Sequence, residues 1–218
     1  MVVSSSNDRT GSHPRAAAWA CGAALLGLVL ALAVLAFMGD GRAGTTAAMR
    51  VTARLAFLLF WPSYAGGALV ALLGNAFQPV KVRAKSLGLA FGAVLAVHLG
   101  LVGWLCWIGD APPVETFAIF GLAAAWTLLL AISSIERVGL ALGDVGRWAL
   151  RNIGMNYIAF AFALDFLTPH RPVTALKVAE YLPFAALSVF GPLLRLLASL
   201  KQRLGAVGGR AEASPNGA

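Results

Sequence analysis

Six apolar stretches, 20 to 24 residues long, alternate with short polar segments along the chain. They cover residues 16–38, 51–73, 85–108, 115–134, 148–167 and 181–200. An α-helix crosses the hydrocarbon core of a bilayer in about 20 residues. The pattern therefore predicts an all-α membrane protein, a bundle of six transmembrane helices filling residues 16–204. Residues 1–15 are polar and rich in Ser, and residues 205–218 are rich in Gly and Ala, so both tails are expected to be disordered. The first stretch exceeds the apolar region of a signal peptide, about 7–15 residues, and is expected to be retained as a span. Residues 39–49, 74–85, 135–147 and 168–177 read as loops, and 109–114 as a tight turn.

Composition agrees with the pattern. The 218 residues are 59% hydrophobic and 12% charged, whereas soluble domains carry roughly 25% charged residues. Spans and short loops use almost the whole chain, which leaves no room for a separate flavin or NAD(P) domain. The net charge of +8 does not indicate nucleic acid. The basic residues cluster at the ends of the apolar stretches and form no stripe with interleaved aromatics. With the N-terminus in the cytoplasm, 12 Lys and Arg fall on the cytoplasmic side and 5 on the other. The positive-inside rule then places both termini in the cytoplasm. Arg outnumbers Lys 13 to 4, and Ala and Gly are abundant. That bias suggests a GC-rich bacterial source and hence the bacterial inner membrane. Cys21 and Cys106 lie inside spans with no metal-ligand spacing and read as apolar fillers. No nucleophile–base set for hydrolysis is visible.

The candidate chemistry lies in the third and fifth stretches. His98 is the one ionisable residue in the apolar part of the third, and such a residue inside a membrane is a functional-site hypothesis. Ala84, Gly88, Gly92, Ala96 and Gly100 recur every four residues, a spacing that lets another helix approach closely. His98 lies on roughly the opposite side, with Phe91, Leu95 and Val102. The fifth stretch is the most polar, with Arg151, Asn152, Asn156, Tyr157 and Asp165. Asn152 and Asn156, one turn apart, are expected to bond between helices. Arg151 reads as an interfacial charge or as a partner for a phosphate or propionate. Met155 reads as core or as an axial thioether. Arg54 is expected to snorkel to the interface, and Trp61 to fill the kink at Pro62. His13 and His170 fall in polar segments and read as solvated.

The third stretch reads R-x-x-x-LGL, then eight residues, then HL; the fourth ends in LLLAISS; the fifth opens with Trp148 after a charged segment. Together these features resemble the ferric reductase-like transmembrane domain family, over about residues 50–200. Among its members, the haem-binding membrane subunits of bacterial periplasmic methionine sulfoxide reductases look most similar. The resemblance implies a six-helix bundle holding haem b between the third and fifth helices, with His98 as a haem-iron ligand. The family pattern on the fifth helix, W-x-x-L-H, then twelve residues, then H, falls on Trp148, Asn152 and Asp165. Arg151 stands where the family has Leu. Both fifth-helix histidines are thus replaced. On a straight helix, residues 13 apart point about 140° away from each other, so Asn152 and Asp165 face one pocket only if the helix bends.

Three functions follow as expectations. One is a b-type haem electron-transfer subunit of an oxidoreductase, which needs a redox partner. The second is a haem-free scaffold, assembly or sensing subunit for another membrane protein. The third is a small transporter using His98 and Asp165, although no inverted repeat is visible. For His98 the open roles are haem contact, a pair with Asp165, and a core histidine. Asp165 lies near the end of its stretch, where interfacial water is an alternative partner.

Overall fold

The computed structural model describes residues 12–168 and 175–212. Residues 1–11 of the predicted N-terminal tail, and His170, lie outside them. The described chain is all-helical: α1 (Ser12–Met38), α2 (Arg42–Leu73), a 3-10 turn (Asn75–Phe77), α3 (Gln78–Trp107), α4 (Val114–Ser133), α5 (Glu136–Leu167) and α6 (Ala175–Glu212). Five of the six α-helices are long and apolar enough to cross a membrane. The exception is α5, whose most apolar part still carries Arg151, Asn152, Asn156 and Asp165.

The helices extend beyond the apolar stretches. Residues 42–49, read as loop, form the first turns of α2. The chain reverses over residues 39–41, where Gly39 has φ +82°. The reversal is tight enough that a Cβ at Gly44 would lie 1.8 Å from the Gly39 carbonyl oxygen. Thr45 and Ala48 are buried there, so small residues that resemble a loop are packing residues. Residues 78–85 likewise start α3, with Pro79 in its first turn, where a missing N–H costs nothing. Residues 136–147 are helical except at Gly143, whose φ of 64° and ψ of 177° break α5. α6 runs on to Glu212, past the point where a disordered tail is expected.

α2 packs against α1, α3 and α6, and a ring of neighbours runs α2–α3–α4–α5–α6 and back to α2. α1 lies outside this ring against α2 and α3. Half of the most apolar window of α2 is buried, against 11% for α1 and for α4. The core is aromatic. Phe57 and Phe60 of α2 meet Phe162 of α5 at ring distances of 5.1 and 5.5 Å, and Phe57 lies 4.9 Å from Phe166. Each such pair adds about 0.5–1.5 kcal/mol to the burial of its rings.

The small-residue stripe on α3 packs over only part of its length. Ala84 accepts a hydrogen bond from Ser63 Oγ at 2.8 Å, and a Cβ at Gly88 would lie 3.2 Å from the same oxygen. Ala96 and Gly100 are exposed. The side bearing Phe91 and His98, expected to look elsewhere, faces α2. Trp61 does not merely fill space beside Pro62: its indole donates to the Leu187 carbonyl of α6 at 2.7 Å. Gly191 makes room for it, since a Cβ there would lie 3.1 Å from the indole nitrogen.

Candidate functional site: a cavity and a polar network

A cavity of about 330 Å³ lies within the helix ring, its lining mostly apolar. His98 of α3, Asp165 of α5 and Tyr181 of α6 reach its wall, with Phe91, Phe120 and Phe162 among the apolar lining. Arg50, Pro112 and Thr116 line it towards the end of the bundle that carries the α1–α2 and α3–α4 turns. Two contacts tie those turns together: Arg42 pairs with Asp110 at 3.2 Å, and the Trp104 indole donates to the Asp40 carbonyl at 2.9 Å.

His98 is partly buried, and its hydrogen-bond partner is Thr52 of α2 rather than Asp165. Thr52 Oγ1 lies 3.0 Å from His98 Nδ1. The same hydroxyl lies 3.0 Å from the Ala48 carbonyl and 3.1 Å from that of Met49. A hydroxyl can both donate and accept, so the direction of the Thr52–Nδ1 bond follows the ring tautomer. The ring also bonds the Met49 backbone, so α2 holds the imidazole on the cavity wall through a side chain and a main-chain group. An imidazole so held is suited to a hydrogen-bonding ligand or to a metal.

Asp165 and Asn152, the two positions matched to the family's histidines, do not meet. Asp165 lines the cavity and Asn152 does not. The reason is the helix geometry: the break in α5 is at Gly143, before both residues, so nothing brings positions 13 apart onto one side. Asn152 instead accepts from Arg195 Nη2 of α6 at 2.9 Å. Asn156 accepts from Tyr64 Oη of α2 at 2.8 Å, and the Arg195 guanidinium lies 4.5 Å over the Tyr64 ring. Asn152 and Asn156 thus bond between helices, joining α2, α5 and α6. Arg151 is exposed outside the cavity. Met155 packs against the aromatic core and is not among the cavity's lining residues.

Arg54 pairs with Glu180 of α6 and lies over the rings of Tyr181, at 4.8 Å, and Phe184, at 5.4 Å. Its Nη2 is buried without a hydrogen-bond partner among the described residues. Sequence reasoning missed Thr52, Tyr64, Arg195 and the Arg54–Glu180 pair. The signal available for each was a polar residue inside an apolar stretch.

The donor set does not match the two imidazoles that the resemblance implies. Among the described residues His98 is the one imidazole lining the cavity, and α5 brings Asp165 to the position matched to a family histidine. Met49 and Tyr181, of types that can also hold haem iron, line it as well. Among the described residues no three His, Cys, Asp or Glu side chains cluster to hold a metal ion. Comparison with protein-family models, characterised proteins and solved structures returns no match.

Proposed function

We propose that this chain is a multi-pass protein of the bacterial inner membrane, built on the ferric reductase-like plan, in which the haem site has become a haem-free pocket. All six α-helices cross the bilayer, and both termini are cytoplasmic. The pocket takes a small, largely apolar molecule bearing one polar group, held by the His98 imidazole. The protein serves as a sensing or assembly subunit for a partner membrane protein, which could itself be a redox enzyme. The observation that carries this reading is the anchored His98 ring on the wall of an apolar cavity to which α5 brings Asp165, at the position matched to a family histidine. A mostly apolar cavity with a few convergent polar groups is the usual form of a small-molecule site.

A b-type haem bound through His98 alone is the second reading. The anchored Nδ1 favours it, because a metal-bound histidine characteristically donates its other ring N–H to a neighbouring acceptor. One experiment separates the two. The protein is purified from haem-supplemented cells, its absorption spectrum is recorded, and its solvent-extractable small molecules are compared with those of His98→Ala. A flat Soret region, with a molecule that co-purifies only with the wild type, supports the pocket. Stoichiometric haem that is lost in His98→Ala overturns it.

A further inference from the structure

A second polar feature lies away from the cavity, where α5 and α6 meet. Arg195 sits inside the apolar span of α6, 10 residues before its end at Gly205. One of its nitrogens, Nη2, donates to Asn152 Oδ1. None of its remaining N–H groups is sealed in the core without a partner. Arg151 is the residue before Asn152 and is exposed, and the two guanidinium groups are close enough for their charges to interact. Among the described residues neither arginine has a carboxylate within ion-pair distance. The nearest carboxylate along α5 with a described side chain, Asp144, is already paired with Arg147.

Two like charges beside an apolar span are costly without a counter-anion. The Asn152 carbonyl oxygen is occupied by Arg195 and Asn156, which leaves the Asn152 amide N–H groups as donors beside the two guanidiniums. Trp148, one turn before Asn152 and exposed, marks the headgroup level on this side of the bundle. Planar guanidinium forks match phosphate oxygens in pairs, and basic pockets between helices on the cytoplasmic side suit anionic lipid headgroups.

We propose that Arg151, Asn152 and Arg195 form a binding site for the phosphate of an anionic phospholipid at the α5–α6 seam. The site takes the phosphodiester between the two guanidiniums, and the acyl chains lie along the exposed apolar faces of α5 and α6. It rests on the membrane reading of the helices and is independent of what the His98 cavity holds.

The test is native mass spectrometry of the purified full chain, titrated with phosphatidylglycerol or phosphatidylcholine, with inorganic phosphate as competitor. The wild type is expected to retain one phosphatidylglycerol about tenfold more tightly than phosphatidylcholine. Arg151→Gln and Arg195→Gln are each expected to weaken that binding about fivefold. Arg203→Gln, an exposed cation further along α6, is expected to leave it unchanged. Arg151 makes no hydrogen bond among the described residues, so its variant carries the test if Arg195→Gln fails to fold. Equal retention of the two lipids overturns the site. So does an Arg151→Gln protein that binds like the wild type. An Arg203→Gln loss as large as that of Arg151→Gln would mean diffuse surface charge. Displacement of the lipid by millimolar inorganic phosphate would mean a free-anion site and overturn the lipid assignment.

Discussion

Thr52 Oγ1 and His98 Nδ1 lie 3.0 Å apart, and this contact orients the ring of the one histidine that lines the cavity among the described residues. The same hydroxyl bonds the carbonyls of the preceding turn of α2. Thr52→Val keeps the side-chain shape and removes the ring's partner. A polar group left unsatisfied in a buried site costs about 1–3 kcal/mol. Thr52→Val is expected to lower the thermal midpoint in detergent by that equivalent and to free the imidazole to turn. Any molecule that co-purifies through His98 is then expected to be depleted in Thr52→Val as well as in His98→Ala. Unchanged stability together with unchanged co-purification would show that the contact does not hold the ring.

Gly44 tests the α1–α2 reversal. A Cβ there would lie 1.8 Å from the Gly39 carbonyl oxygen, a backbone atom that cannot rotate away. Gly44→Ala is expected to cost about 3 kcal/mol, at the upper end of overpacking effects. Gly67→Ala, in the same helix with nothing within 4 Å of the new carbon, is the control. It is expected to stabilise α2 by about 0.5–1 kcal/mol through helix propensity. Thermal unfolding of the two variants side by side is the measurement, and similar midpoints would contradict the observed turn.

The helices were legible because runs of 20 or more apolar residues have few other uses in a chain this low in charge. Their ends were not. Thr45 looks like a loop residue, yet its hydroxyl bonds the Asp40 carbonyl and the residue is buried. The charged residues 136–142 form helix beyond the apolar stretch, and only the positive φ of Gly143 interrupts it. At the site, His98 stood out as the lone ionisable group in an apolar run. Thr52 did not, because a helical threonine usually bonds its own preceding turn and leaves no trace of a second role. Along the sequence Arg195 is only one more basic residue on the side of the termini. Its bond to Asn152 depends on how α5 meets α6, which periodicity along one helix does not encode.

The Tyr64–Asn156 bond links α2 to α5 at 2.8 Å, and a double-mutant cycle can weigh it. Tyr64→Phe and Asn156→Ala are each expected to destabilise by about 1 kcal/mol. Their coupling energy is expected near 0.5–1.5 kcal/mol, the range of hydrogen bonds between helices in membranes. Strictly additive losses would mean that the two side chains act independently. Gly191 sets the limit of this arrangement, since a Cβ there would lie 3.3 Å from the Tyr64 ring.

Arg54 and Glu180 make the remaining prediction. The Arg54 side chain is 17% exposed and that of Glu180 is 49% exposed, so the pair is only partly withdrawn from solvent. Glu180→Gln removes the counter-charge and leaves the guanidinium over the rings of Tyr181 and Phe184. Breaking a fully buried pair costs about 3–5 kcal/mol. The exposure of Glu180 reduces the expected loss to about 1–2 kcal/mol. Arg54→Met removes the charge itself, along with the Nη2 that has no hydrogen-bond partner among the described residues. Replacing a buried charge by an apolar side chain of similar length is often neutral or stabilising. Thermal unfolding is therefore expected to rank Arg54→Met and the wild type together, with Glu180→Gln below both. A Glu180→Gln protein as stable as the wild type would show that the rings alone hold Arg54.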